Sequence, residues 1–156
     1  MKYTRLTKEQ LENLQEEFIN FLATQSITGE EWTKIKEKQP EVAEEEIDIF
    51  SELVWEGALT QAKFLENISP QQLFLFSLGK AEMRLISLKI VDETKDITTT
   101  EGYAWLQKNY MNDDVEFFTA TKKYENRNTD IFKLIQQGAV ITKGELFGFF
   151  ENILKA

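Results

Sequence analysis

The chain has no cysteine and no histidine. Their absence removes disulfides, thiol nucleophiles, imidazole acids and bases, Zn sites built from Cys and His, and haem ligation by His. Proline is scarce, at 2 residues in 156, and no Gly-, Ser- or Pro-rich linker divides the chain. No apolar run approaches the roughly 20 residues of a membrane span. The richest clusters are Leu73-Phe74-Leu75-Phe76 and the interrupted stretch 131–141. No apolar segment of a secretory signal follows Met1-Lys2-Tyr3-Thr4-Arg5, and Lys155-Ala156 carries no lipidation motif. The expectation is a soluble cytoplasmic protein.

What is present describes a packed domain. Apolar residues make up 42% and aromatics 12%, against 29% charged, a balance that supports a core rather than disorder. Lys and Arg number 18 and Asp and Glu 27, giving a net charge of −9. Nucleic acid and anionic membranes both reward clustered cations, so neither is an expected partner. The length suits one domain, 1–156. Residues 1–80 hold 8 Lys and Arg against 15 Asp and Glu, a net −7; residues 81–156 hold 10 against 12, a net −2. The first half reads as an acidic helical half and the second as an α+β half ending in a helical hairpin.

The local patterns support that division. Thr7 and Gln10 have capping-box spacing, and Leu11, Leu14, Phe18, Phe21 and Leu22 then form one helical stripe. Thr28-Gly29-Glu30-Glu31 opens a second helix holding Trp32 and Ile35, which Pro40 ends. From Glu41, the residues Val42, Ile49, Phe50, Leu53 and Val54 share a face, with a stop or kink at Gly57. Residues 62–65 read as a short helix, and Ser69-Pro70 as the start of another over 71–77. Residues 84–91 and 115–121 read as strands from their branched and aromatic content. A short helix with Tyr103, Trp105 and Leu106 follows Thr98-Thr99-Thr100. Two helices, about 130–137 and 142–154, close the chain, the second opened by a Thr142/Glu145 capping box. The fold class is therefore α+β and mainly helical, with a small sheet of two or three strands packed by helices.

Several residue groups invite a functional reading. Glu41, Glu44, Glu45, Asp48 and Glu52 lie along a single helix, which displays carboxylates outward rather than converging them on a cation, so a solvated face is expected. Asn112-Asp113-Asp114 lacks the glycine and terminal Glu of a Ca loop and reads as a turn. Lys122, Lys123 and Arg127 form a compact basic patch beside Tyr124, which would suit phosphate or RNA contact. Lysines guarding an edge strand explain it better. Trp32, Trp55, Tyr103, Trp105 and Tyr110 serve packing more readily than a ligand groove. Phe147, Phe149 and Phe150 cannot all face one side of a helix, so at least one is exposed, or covered by a distant part of the chain or by a partner. No GxSxG, GxxxxGK[ST], GxGxxG or Ser-x-x-Lys motif occurs, and neither cofactor nor metal is expected.

Two resemblances add to this reading. The runs Phe18-Ile19-Asn20-Phe21-Leu22-Ala23-Thr24-Gln25-Ser26-Ile27-Thr28 and Gln136-Gln137-Gly138-Ala139-Val140-Ile141-Thr142-Lys143-Gly144-Glu145 resemble a small bacterial family of unknown function, seen chiefly in the Bacteroidetes group. That resemblance implies a bacterial, cytoplasmic protein and no particular activity. Residues 131–154 are similar to the short C-terminal helical hairpin called SHOCT, with Gly138 closing the first helix and Thr142 and Glu145 opening the second. One extra residue separates Gly138 from Ile141-Thr142, and Gly144 stands where a helix former is usual. This resemblance implies self-association or partner docking. The function expected is non-enzymatic protein–protein interaction; the alternatives are a small enzyme or ligand binder using Asp/Glu and Lys, and an acidic inhibitor or nucleic-acid mimic.

Overall fold

The computed structural model describes residues 1–155, which form two compact units, one ending at Thr60 and the other beginning at Gln61. The first unit is helical: α1 (Lys8–Asn13), α2 (Gln15–Thr24), α3 (Gly29–Lys38) and α4 (Pro40–Gln61). Thr7 caps α1 in the capping box its spacing predicts, and Thr28 Oγ1 accepts the Glu31 N–H at the start of α3. The stripe read as one helix breaks at Leu14, which separates α1 from α2. Helix α4 runs unbroken through Gly57, where a stop or kink is expected from sequence. Phe18 packs its ring 5.2 Å from Trp32 and 5.0 Å from Phe50, and Phe21 lies 5.4 Å from Phe50. Of these rings Phe50 is buried, and the half-buried Phe18, Phe21 and Trp32 gather around it.

The acidic face of α4 is only partly solvated. Its Glu44, Asp48, Glu52 and Glu56 recur every fourth residue and receive the chain's own N-terminal segment. Arg5 pairs with Glu44 and Asp48, the Lys2 and Tyr3 amides donate to Glu52, and the Tyr3 hydroxyl donates to Glu56. Deeper in, the Leu6 N–H donates to Ser51 Oγ at 3.0 Å, and Ser51 in turn donates to the Ile47 carbonyl. Burial and the Glu56 carboxylate push the Tyr3 phenol up to about 12. The Arg5 guanidinium holds Asp48 below its usual value. Glu41 and Glu45 stay exposed.

The second unit is built on a five-stranded antiparallel sheet in the order β4-β3-β2-β1-β5. Its strands are β1 (Phe64–Ser69), β2 (Gln72–Leu78), β3 (Glu82–Ile90), β4 (Val115–Lys123) and β5 (Val140–Thr142). This corrects the expectation of a two- or three-stranded sheet. The missing strands are β1 and β2, where sequence suggests two helices, and the three-residue β5. The error has a physical source. Leu73 and Leu75 face one side of β2 while Phe76 and Leu78 face the other, and all four are buried. A central strand buried on both faces shows no alternation of polar and apolar residues to mark it. Pro70, read as a helix start, instead sets φ in the two-residue turn between Ser69 and Gln72.

Helices α5 (Thr100–Asn109), α6 (Arg127–Gln136) and α7 (Glu145–Lys155) complete the unit. Thr99 caps α5 and Asn126 caps α6. One face of the sheet presents Leu73, Leu75, Ile86, Leu88 and Ile90 to Leu106 of α5 and to Phe147 and Phe150 of α7, forming the main core. Helix α6 borders the opposite face beside Phe76, Met83 and Leu85. It closes at Gly138, whose φ is +110°. The chain does not turn directly into α7 as a helical hairpin would: β5 intervenes and pairs with β1. Thr142 ends that strand, so the expected Thr142/Glu145 box does not form; Thr142 Oγ1 accepts the Gly144 N–H instead.

Candidate functional site

The three phenylalanines of α7 diverge as a 100° step per residue requires. Phe147 and Phe150 are both buried at 3% exposure, whereas Phe149 keeps 47% of its surface. The two buried rings are core: Phe147 lies 5.9 Å from Phe64, and Phe150 lies 5.9 Å from Phe117. Phe149 leans outward against Tyr110 of the segment after α5, edge to face at 5.6 Å, and against Phe150 at 5.1 Å. Between α5 and α7 lies a groove of about 430 Å³, walled by Tyr103, Leu106, Tyr110, Leu146, Phe149 and Phe150, with Gln107 and Glu145 supplying polar groups.

The chemistry beneath the groove is acidic. Glu66 points from β1 to the same side of the sheet, where burial raises its carboxyl and the Glu145 charge adds to the rise against a Thr142 hydrogen bond. Burial likewise raises the Tyr103 phenol, with Glu66 contributing. Glu145 itself stands in the first turn of α7, where the helix dipole favours a negative charge. The arrangement offers an apolar slot with aromatic walls and carboxylates at one end. Among the described residues no lysine lines it, and no group of three or more Asp or Glu is placed to hold a metal ion.

Of the five aromatics singled out from sequence, the structure brings only Tyr103 and Tyr110 to this groove. Trp105 joins the sheet core with Lys95 over its ring, and Trp32 belongs to the helical unit. Glu66 and Glu145 were not legible as a pair. They are 79 positions apart in sequence, and the β1–β5 pairing that precedes α7 brings them together.

The basic patch separates in the fold. Lys122 and Lys123 are exposed on β4, at one edge of the sheet. Arg127 is half-buried: its guanidinium donates to the Gly79 carbonyl at 3.0 Å and the Ala62 carbonyl at 2.7 Å, and lies 5.9 Å from the Tyr124 ring centre. It ties α6 to the β2–β3 turn and to the short link between α4 and β1. Asn112-Asp113-Asp114 forms the turn into β4, with Asn112 Oδ1 accepting the Asp114 N–H.

No helix among the described residues is long and apolar enough to cross a membrane. No curated protein and no solved structure matches the chain. A family model does, spanning residues 1–155 and hence both the helical unit and the sheet with its groove, and the chain belongs to that family of unknown function, DUF6495.

Proposed function

We propose that this is a non-enzymatic bacterial protein of the cytoplasm that binds another protein through the groove between α5 and α7. The observation that carries the reading is Phe149. A ring half out of solvent contact, flanked by Tyr110 and Phe150 over a cleft with apolar walls, is the composition of a binding hot spot rather than of a solvated helix face. The occupant that suits it is a partner segment with an apolar anchor next to Lys or Arg. The anchor would fill the slot beside Leu106 and Leu146, and the cation would meet Glu145. The net charge of −9 favours encounter with such a partner.

A photo-crosslinking residue replacing Gln107, at the groove wall, tests this in the native cell. The expected result is one dominant crosslinked protein, identified by mass spectrometry, whose recovery falls at least about tenfold when Phe149→Ser is added. Equal recovery with and without Phe149→Ser would refute the groove as the binding site.

A further inference from the structure

Strand β4 is nine residues long and forms an edge of the sheet. Its pairing with β3 is continuous from Val115 to Lys123, with no bulge, and it contains no proline. From Thr119 onward every residue is exposed, and Phe118 is 62% exposed. Natural edges are usually shortened, bulged, covered or charged along their length, because unpaired N–H and C=O groups recruit other strands. Lys122 and Lys123 protect only one end of this edge.

The backbone geometry states which residues are open for pairing. Just beyond either end of the ladder, the Val91 N–H donates to the Asp114 carbonyl and the Tyr124 N–H to the Ala81 carbonyl. Hydrogen-bonded pairs alternate along an antiparallel ladder, so Glu116, Phe118, Ala120 and Lys122 turn their backbone groups toward β3. Val115, Phe117, Thr119, Thr121 and Lys123 turn theirs to the open edge.

We infer that two copies of the protein associate by pairing their β4 strands antiparallel about a two-fold axis at Thr119. This register overlaps all nine residues of each strand. It matches the parity of the open edge, since Thr119 meets Thr119 and Phe117 meets Thr121 as hydrogen-bonded pairs. It is also complementary in charge: Glu116 falls directly opposite Lys122 of the second copy, twice by symmetry. Within one copy Glu116 faces Lys89 across the β3–β4 ladder, so a row of alternating charge would cross the joint. On the same face the two Phe118 rings become diagonal neighbours, within reach of one another across the joint. The contact is isologous and closes on itself, giving a ten-stranded sheet whose only remaining edges are the three-residue β5 strands. This inference is independent of the groove between α5 and α7.

Analytical ultracentrifugation of the full chain over a range of concentrations, at low and moderate salt, reads the dimer directly. Thr119→Pro removes an N–H that points to the open edge, a position where a strand tolerates proline, so the monomer fold should survive by circular dichroism while the dimer disappears. Lys122→Glu, whose cross-strand partner within its own copy is the uncharged Met83 and which borders Glu125, Asp130 and Lys133 on the α6 side, should weaken the dimer about tenfold by opposing Glu116. Adding Glu116→Lys and Lys89→Glu to Lys122→Glu keeps opposite charges paired both across the joint and within each copy, and should restore it. In hydrogen exchange, the amides of Phe117, Thr119 and Thr121 should gain protection with rising concentration, while those of Phe118 and Ala120 are already protected. A wild-type chain that stays monomeric overturns the inference, as does a dimer that survives Thr119→Pro. A full charge swap at positions 89, 116 and 122 that fails to restore association overturns the register, and should Thr119→Pro unfold, the charge swap alone decides.

Discussion

Gly144 offers the sharpest test of how the sheet and α7 are joined. It stands immediately before α7, its carbonyl accepting the Gly148 N–H as the first bond of the helix, with φ at +83°. A Cβ at this position would lie 2.6 Å from Phe64 Cε2 and closer still to Cδ2. The Phe64 ring has little room to yield, since it packs against Phe147 in the core. Three effects set the size of Gly144→Ala. The left-handed backbone costs an alanine about 1–2 kcal/mol. Forcing a methyl into the Phe64 ring adds about 1–3 kcal/mol of overpacking. Reduced freedom of the unfolded chain offsets about 0.4–1 kcal/mol. The net expectation is a loss of about 2–4 kcal/mol from these terms. Gly148, one turn later and with nothing within 4 Å of its would-be Cβ, supplies the matched control: Gly148→Ala should gain about 0.5–1 kcal/mol from helix propensity alone. Urea denaturation followed by far-UV circular dichroism, with the midpoint and slope fitted for each variant, measures both. A Gly144→Ala variant as stable as the parent would refute the reasoning, and so would a Gly148→Ala variant equally destabilised.

Arg127→Ala should cost about 1–3 kcal/mol in the same assay, because it abandons the Gly79 and Ala62 carbonyls, whereas Lys123→Ala should be nearly neutral. Phe150→Ala should cost about 3–5 kcal/mol and Phe149→Ser under about 1 kcal/mol, the contrast following from their burial on one helix. Glu66 carries a raised carboxyl, so the native state binds its proton more tightly than the unfolded chain does, and stability is fullest below the ordinary value of 4.5 and declines as pH rises through the native one. Glu66→Gln removes that decline. Its melting temperature should exceed the parent's at pH 7, and the gain should vanish near pH 4; a gain that persists unchanged in acid would show that the Glu66 charge is not the cause.

The sequence by itself determined the elements that local chemistry specifies. The caps at Thr7 and Thr28, the turn at Asn112-Asp113-Asp114, the β-branched and aromatic content of β3 and β4, and the glycine closing α6 are all local signals. The divergence of Phe147, Phe149 and Phe150 was likewise legible, since helical geometry alone forbids one stripe. Which ring remains outside was not: Phe149 is the exposed one because α7 lies on the sheet with Phe147 and Phe150 inward. The tertiary structure alone decided that Leu73 and Phe76 belong to a central strand, since a segment buried on both faces carries no period of its own. It also decided that the acidic stripe of α4 holds Arg5 and Tyr3, that Arg127 parts from Lys122 and Lys123, and that Glu66 and Glu145 share one side of the sheet. Each of those outcomes joins residues distant in sequence. Their partners are fixed by strand register and helix docking, which depend on the burial of the whole unit rather than on any local pattern.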